Sequence, residues 1–521
     1  MKTSFLILFI CFLGVFTNSL KSQSYAPVRM ELSARMEAPS YHVESMGENG
    51  LILFYESNEI NELQKRKWYF SLIDTTLTEK WVQTVPLTDG MTYHSSGKNN
   101  EKYVMLFSAD SKAKIQSVNY EIITYDNLQQ QFNLIGGTIP EKAEIAGFAS
   151  NGNTALMAIN LPKLKSDFLF FDLKKGSIVS VSNPIEGKVL IKDIKPVNYG
   201  TLYVASIIQE TDDNELNNYF IVFDRFGNII RKFIFNDPNK RYIHSFTYAY
   251  DPSTDGVIVI GSFDNVTEKK EKLKQIESDE SEAAGLFFLK FSEKQAGQSN
   301  FVEFKEFRNI YSALSEEDLM QVRQQQARTK NEKPPKPNVA FMLFNPELLQ
   351  VNNKLIYIAE AFRPQYRIES RIEYDFYGRP IPYSYSVFEG YHFFTAIAGA
   401  FNSEGEFAWS YSFEIPDMIS FYLQPHILLQ PDSSDLVFCV INKGLLNSTV
   451  IGIDGEEIGS TEQTKIVSDF SNDRLLEEDY TTVTYWYGTY YLGMGYQKIS
   501  NNKLRDNNPR TVFYLSKLNF H

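Results

Sequence analysis

Apolar and polar positions along this chain follow a repeating pattern. The stretch "YFIVFDRFGNIIRKFIF" (219–235) is an apolar run, a polar Gly-bearing turn and a second apolar run. The same grammar returns in "TAIAGAFNSEGEFAWSYSF" (395–413) and "STVIGIDGEEIG" (448–459). Short apolar runs bounded by turn residues read as strands. Further units are "KWYFSLIDTTLTEKWVQTV" around Asp74, "NYEIITYDNLQQQFNLI" around Asp126, "DFLFFDLKKGSIVSV" around Asp172 and "GLFFLKFSEKQAGQSNFVEF" around Ser292. An eighth, "TVFYLSKLNF", meets the end of the chain where its turn would begin.

The turn centres Asp74, Asp126, Asp172, Asp224, Ser292, Asn402 and Asp454 lie 52, 46, 52, 68, 110 and 52 residues apart. A period near 50 with occasional excess is the mark of a repeat array that carries insertions. Each pair is preceded by a segment rich in β-branched, aromatic and aliphatic residues, such as "KYVMLFSA" (102–109), "GVIVIGSF" (256–263) or "DLVFCVIN" (435–442), which reads as a well-buried strand. Upstream of most of these lies a shorter segment ending in a turn, such as "HSFTYAYDPSTDG". Each unit therefore supplies about four strands, and its Asp-bearing turn is expected to join the third to the fourth, where Asp can bond its own backbone and Gly can take positive φ.

Four strands per repeat is the composition of a propeller blade. The expected fold is all-β, a single propeller of eight four-stranded blades, or seven if a weak unit fails, with one short inserted helix. "PVRMELSARM" (27–36) stands before the first unit without a partner. It is expected to complete the last blade, because closing the ring removes two open sheet edges. The strand grammar resembles that of secreted bacterial β-propeller proteins of the quinoprotein-like and WD40-like types over most of the chain. No "GH…WD" signature is present, so the resemblance implies a fold and carries over no functional residues.

Lys2, the twelve-residue apolar run Phe5–Phe16 and the small residues Ser22–Ser24 form a signal-peptide pattern. Residues 1–24 are expected to be a leader, and 25–521 the propeller domain of a secreted or periplasmic protein. Loss of the leader removes Lys2 and Lys21 and no acid, which moves the formal charge from −13 to about −15 and argues against a nucleic-acid partner. No later apolar run reaches the roughly 18 residues of a membrane span. Cys439 is then the single thiol, on a strand and read as buried and inert. The fold is expected to need no disulfide, metal or cofactor.

Three insertions exceed the repeat. Residues 265–284 are almost wholly polar or charged and read as a solvated loop. Residues 312–338 hold "SEEDLMQVRQQQAR" followed by "KPPKP", a helix stopped by a proline linker. Residues 363–394 combine Arg363, Arg367, Arg371 and Arg379 with Tyr374, Phe376, Tyr377, Tyr383 and Tyr385 around a "DFYGRP" turn. Arg and Tyr dominate binding hot spots because they bury large areas while keeping polar contacts. This hairpin is the expected protein-binding site, unless its aromatics pack onto its own blade.

His42, His94, His244 and His426 fall at the start of their units' first strands. In a propeller those starts lie near one mouth of the central channel, so imidazoles there could bind a metal or move protons, or could simply pack. "DPSTDG" (251–256) resembles the start of a calcium loop without its later acid and reads as a turn. No G-x-S-x-G, HExxH, Walker or dinucleotide-binding motif occurs. The aromatic run 480–496, with Tyr485, Trp486, Tyr487, Tyr490 and Tyr491, could stack on sugars or form a blade core. The reading that results is a non-catalytic protein-binding or assembly module of the bacterial cell envelope. Its rival is a propeller that binds or degrades polysaccharide.

Overall fold

The computed structural model describes residues 28–519 apart from short stretches, the longest being 110–117, 265–281 and most of 311–338. The described residues form eight four-stranded antiparallel sheets. In chain order sheets 1 to 7 span 41–88, 91–137, 144–182, 188–235, 242–303, 342–420 and 427–465. Sheet 8 takes three strands from 474–519 and its fourth from Val28–Ser33, which pairs along Arg510–Asn519. The repeat pattern thus gives a propeller of repeated four-stranded blades. No complete α-helix is seen among the described residues. The helix expected within 312–338 falls outside them except at Leu314, Leu319 and Met320, and the loop 265–284 is described only from Glu282 onward.

Burial explains the strand order. Second strands such as Lys102–Ala109 and Asp435–Asn442 are buried nearly throughout, whereas fourth strands such as Ser177–Ser182 and Glu462–Lys465 are almost wholly exposed. First strands of neighbouring sheets touch along sheets 2 to 6, and again between sheets 7 and 8. They are therefore innermost, and the polar fourth strands face solvent.

Apolar cores hold the sheets face to face. Phe54, Phe70 and Trp68 of sheet 1 pack with Met105 and Phe107 of sheet 2, and each sheet continues onto the next in the same way. A further core sets Leu51, Leu53 and Ile73 of sheet 1 against Trp486, Phe513 and Leu515 of sheet 8.

The outer turns use the chemistry their sequence implies. Asp224 Oδ1 accepts from the N–H groups of Phe226 and Asn228, and Asp74 and Asn402 cap their turns in the same way. Gly227 and Gly405 have φ of +83° and +79°, and a Cβ there would lie 2.5 Å from Phe170 and 2.4 Å from Phe288. Glycine is required twice over at these positions. The turn needs positive φ, and it sits directly on an aromatic ring of the preceding sheet.

Candidate interaction site

The second and third strands of sheet 6, Lys354–Tyr374 and Pro380–Asn402, are far longer than any other pair. The first strand covers its neighbour only to Phe362 and the fourth only to Tyr391. Beyond those points the pair runs on as a two-stranded ribbon, Gln365–Tyr374 against Pro380–Gly390, roughly 33 Å long at about 3.3 Å per residue.

Register divides the ribbon into two unlike faces, since paired residues share a side and successive ones alternate. Arg367, Glu369, Arg371 and Glu373 lie opposite Val387, Tyr385, Tyr383 and Ile381. On this side Arg367 pairs with Glu369 at 2.6 Å, Arg371 pairs with Glu373, and the Tyr385 hydroxyl donates to Glu369 at 2.7 Å. The Arg371 guanidinium sits 5.5 Å and 5.6 Å from the Tyr383 and Tyr385 ring centres. The hydrogen bond from Tyr385 and the charge of Arg367 hold the Glu369 carboxyl below its usual range. Charge on this face is largely neutralised internally.

The other face carries no charge. Tyr366, Ile368, Ser370, Ile372 and Tyr374 lie opposite Phe388, Ser386, Ser384, Pro382 and Pro380. Ile368 is 76 % and Ile372 64 % exposed, and Tyr366 and Tyr374 are exposed as well. Phe388 contacts Tyr366 and, at the base, Phe421, so the apolar strip runs on into the exposed Ile419, Phe421 and Tyr422. At the tip Phe376 is 97 % exposed beside Tyr377, and Arg379 lies over the Tyr377 ring. Arg363, at the root, lies 5.7 Å from the Phe394 ring centre.

All nine residues expected to bind a partner therefore stand on or at the root of the ribbon. Tyr374, Phe376, Tyr377 and Tyr383 are open to solvent. Ile368 and Ile372 were not among them. Their signal is the strict alternation of Tyr366-Arg367-Ile368-Glu369-Ser370-Arg371-Ile372-Glu373-Tyr374, which reads as a strand with one apolar face.

The histidines sit on the first strands of sheets 1, 2 and 5 and at the entry to that of sheet 7. Each has its own neighbours. His42 packs between Phe54 and Tyr93, and burial holds its imidazole down at about 4. His94 Nδ1 lies 3.1 Å from the Ser95 hydroxyl. His244 Nδ1 lies 3.1 Å from the Ser262 hydroxyl, and burial brings it to about 3. His426 Nδ1 donates to the Thr481 carbonyl at 2.9 Å, and burial brings it to about 4. Among the described residues no group of three or more His, Cys, Asp and Glu side chains is placed to hold a metal ion.

Glu360, 2 % exposed in the second strand of sheet 6, accepts from the N–H groups of His426 at 2.8 Å and Ile427 at 3.0 Å. Burial pushes its carboxyl up to about 8 despite those hydrogen bonds. Cys439 is fully buried, and burial raises its thiol far above the usual range, which makes it unreactive. Asp251 in "DPSTDG" is engaged by Ser253, Thr254 and Lys290. Burial opposes its ionisation, but those bonds hold it well below the usual range. Trp486 and Tyr491 lie inside cores that join sheet 8 to its neighbours, where no sugar ring can reach them.

No family model and no curated protein matches the chain. Solved structures similar to it include a prolyl endopeptidase at 8 % identity and TM-score 0.37, covering 89 % of this chain and 55 % of that one. The chain thus spans about half the length of that enzyme. Others are the β-propeller domain of the Trilobed protease from Pyrococcus furiosus (8 %, TM-score 0.34, 81 % and 99 % covered) and the polysaccharide lyase Uly1 (9 %, TM-score 0.37, 83 % and 90 % covered). No helix among the described residues is long and apolar enough to cross a membrane.

Proposed function

We propose that this chain is an exported, non-catalytic propeller of eight blades, closed by its N-terminal strand, that binds a protein partner in the bacterial cell envelope through the sheet 6 ribbon. The observation that carries the reading is the uncharged face of that ribbon. Four large side chains, Tyr366, Ile368, Ile372 and Tyr374, are held in a row in water. Contiguous apolar patches of this kind are uncommon on monomers and mark contact surfaces. The ribbon also offers two strand edges beyond the reach of its own sheet, and an incoming strand can pair with such an edge.

The test replaces 366–388, which holds the whole uncharged face, by a short Gly/Ser turn and, separately, installs a photo-crosslinking residue at Ile372. Removal of an inter-strand excursion carries a modest loop-closure cost, so the shortened protein is expected to fold with an unchanged melting temperature. A discrete cross-linked adduct in envelope extracts of the native source, competed away by the full-length protein and not by the shortened one, supports the reading. A folded, shortened variant that competes as well as the full-length chain removes the ribbon as the site.

A further inference from the structure

The innermost strands of sheets 2 to 6 end around a cavity of about 1110 Å³, to which these sheets in turn contribute Asn99, Asn153, Asn198 with Tyr199, Tyr250 and Gln350. In sheet 5 it lies at the opposite end of the first strand from His244, and it is separate from the ribbon. We infer that this cavity is a binding site for a neutral, polyhydroxylated ligand of oligosaccharide type.

The rim is built before any ligand arrives. Asn99 Nδ2 donates to the Asn151 carbonyl at 2.8 Å, and Asn151 Nδ2 donates to the Gly200 carbonyl at 2.7 Å, which ties sheets 2, 3 and 4 in series. The Oδ1 atoms of these same amides hold their own turns, Asn99 through the N–H groups of Glu101 and Lys102, Asn151 through those of Asn153 and Thr154. A Cβ on Gly152 would lie 2.4 Å from Asn99, and one on Gly200 2.5 Å from Asn151. The turns therefore fit only this closely stacked arrangement.

Upon that rim stands Tyr199, fully exposed. It is the middle one of three successive left-handed residues, with φ of +49° at Asn198, +54° at Tyr199 and +76° at Gly200. The conformation is fixed by Gly200 N–H to the Val197 carbonyl, by the Thr201 hydroxyl to the Asn198 carbonyl, and by the bond from Asn151. A tyrosine in this region is strained, and strain of this kind gathers at ligand clamps. Its ring contributes nothing to any core and offers a free aromatic face at the cavity edge.

The lining selects the ligand class. Its charged side chains are Lys98 and Glu101, and the Lys98 ammonium donates to the Ser45 carbonyl at 2.8 Å. An anionic ligand would find a single cation there, offset by the Glu101 carboxylate, and would approach a chain of formal charge −13. A hydrocarbon would leave the amides of Asn153, Asn198 and Gln350 dry and unpaired, which is costly. Hydroxyl groups satisfy those amides, and the C–H face of a sugar ring suits the face of Tyr199. The volume is at or above the roughly 300–1,000 Å³ of ordinary small-ligand pockets, which suits a ligand of several rings.

The probes are neutral hexasaccharides of α-glucan, β-glucan, β-mannan and N-acetylglucosamine type, with an oligouronate as the anionic control, titrated calorimetrically into the full-length protein. At least one neutral probe is expected to bind with Kd below about 1 mM, and Tyr199→Ala to weaken it about tenfold or more at an unchanged melting temperature. Asn153→Ala with Gln350→Ala should do the same, and the ribbon-shortened variant should bind like the parent. No binding by any neutral probe, preference for the oligouronate, or binding indifferent to both sets of substitutions would each overturn the assignment.

Discussion

The indole N–H of Trp486 donates to the backbone carbonyl of Gly50 at 3.0 Å, across 436 residues of chain. It ties the last sheet to the first inside a core that also holds Leu53 and Phe513. Trp486→Phe keeps most of the packing and removes one of the two hydrogen bonds to the Gly50 carbonyl, which still accepts from the Met46 N–H, at an expected cost of about 0.5–1.5 kcal/mol. Trp486→Ala adds a cavity, for about 3–5 kcal/mol in all. Deleting residues 25–37 removes the strand on Arg510–Asn519 and should yield self-association through the bared edge. Urea unfolding and sedimentation velocity measure these effects. If both tryptophan variants were as stable as the parent, the two sheets would not be coupled through this contact.

Glu360 makes the stability of the fold depend on pH in a direction that can be worked out. Its native value of about 8 lies above the ordinary 4.5. The folded chain therefore keeps a proton that the unfolded chain releases between pH 4.5 and 8, and stability falls as pH rises through that window. Glu360→Gln retains an acceptor for the His426 and Ile427 N–H groups and has no charge to bury. The variant should match the parent near pH 4.5 and gain steadily to a few kcal/mol by about pH 8.5. His244 and His426, lowered to about 3 and 4 from 6.5, act at the acid end. The unfolded chain takes up protons there that the native state refuses, so their contribution is complete above pH 6.5 and is lost as pH falls to about 4 for His426 and about 3 for His244. A difference between Glu360→Gln and parent that does not vary with pH would mean that Glu360 ionises normally.

Tyr199 lets binding and stability be separated. Glycine adopts its φ of +54° without a Cβ penalty, and the ring it replaces packs in no core. Tyr199→Gly is therefore expected to be neutral or more stable by up to about 1 kcal/mol while sugar binding is lost. A destabilised Tyr199→Gly would show that the tyrosine supports the rim and is not a clamp.

Much of this architecture could be read in the sequence because its determinants are local. The Asp74 and Asp224 turns cap themselves within four residues, and the second strands are apolar from end to end, so strand type and repeat length follow from short windows. The ribbon was legible as excess over the repeat, but its faces were not separated, and pooling Arg367 and Arg371 with the tyrosines missed that each arginine has a glutamate two residues on. The cavity was not visible at all. Its lining comes from five sheets spread over some 250 residues, and Asn99, Asn151 and Gly200 matter through contacts between sheets. Only their near-periodic spacing leaves a trace in the sequence.

The two ribbon faces make opposite forecasts, which locates the partner. Ile372 is 64 % exposed, so Ile372→Asp should leave the melting temperature unchanged, yet it places a charge in the middle of the uncharged strip. If the partner docks there, affinity should fall by about thirtyfold, the loss of an anchor of about 2 kcal/mol. Arg371→Ala breaks an exposed pair with Glu373, and exposed pairs contribute only about 0–1 kcal/mol. Affinity should then change by less than about threefold. Both variants are measured by competition against the Ile372 cross-link adduct, with Ile368→Asp as the independent repeat one rung pair away. A large loss for Arg371→Ala with none for Ile368→Asp would move the partner to the charged face, where the arginines and tyrosines act together.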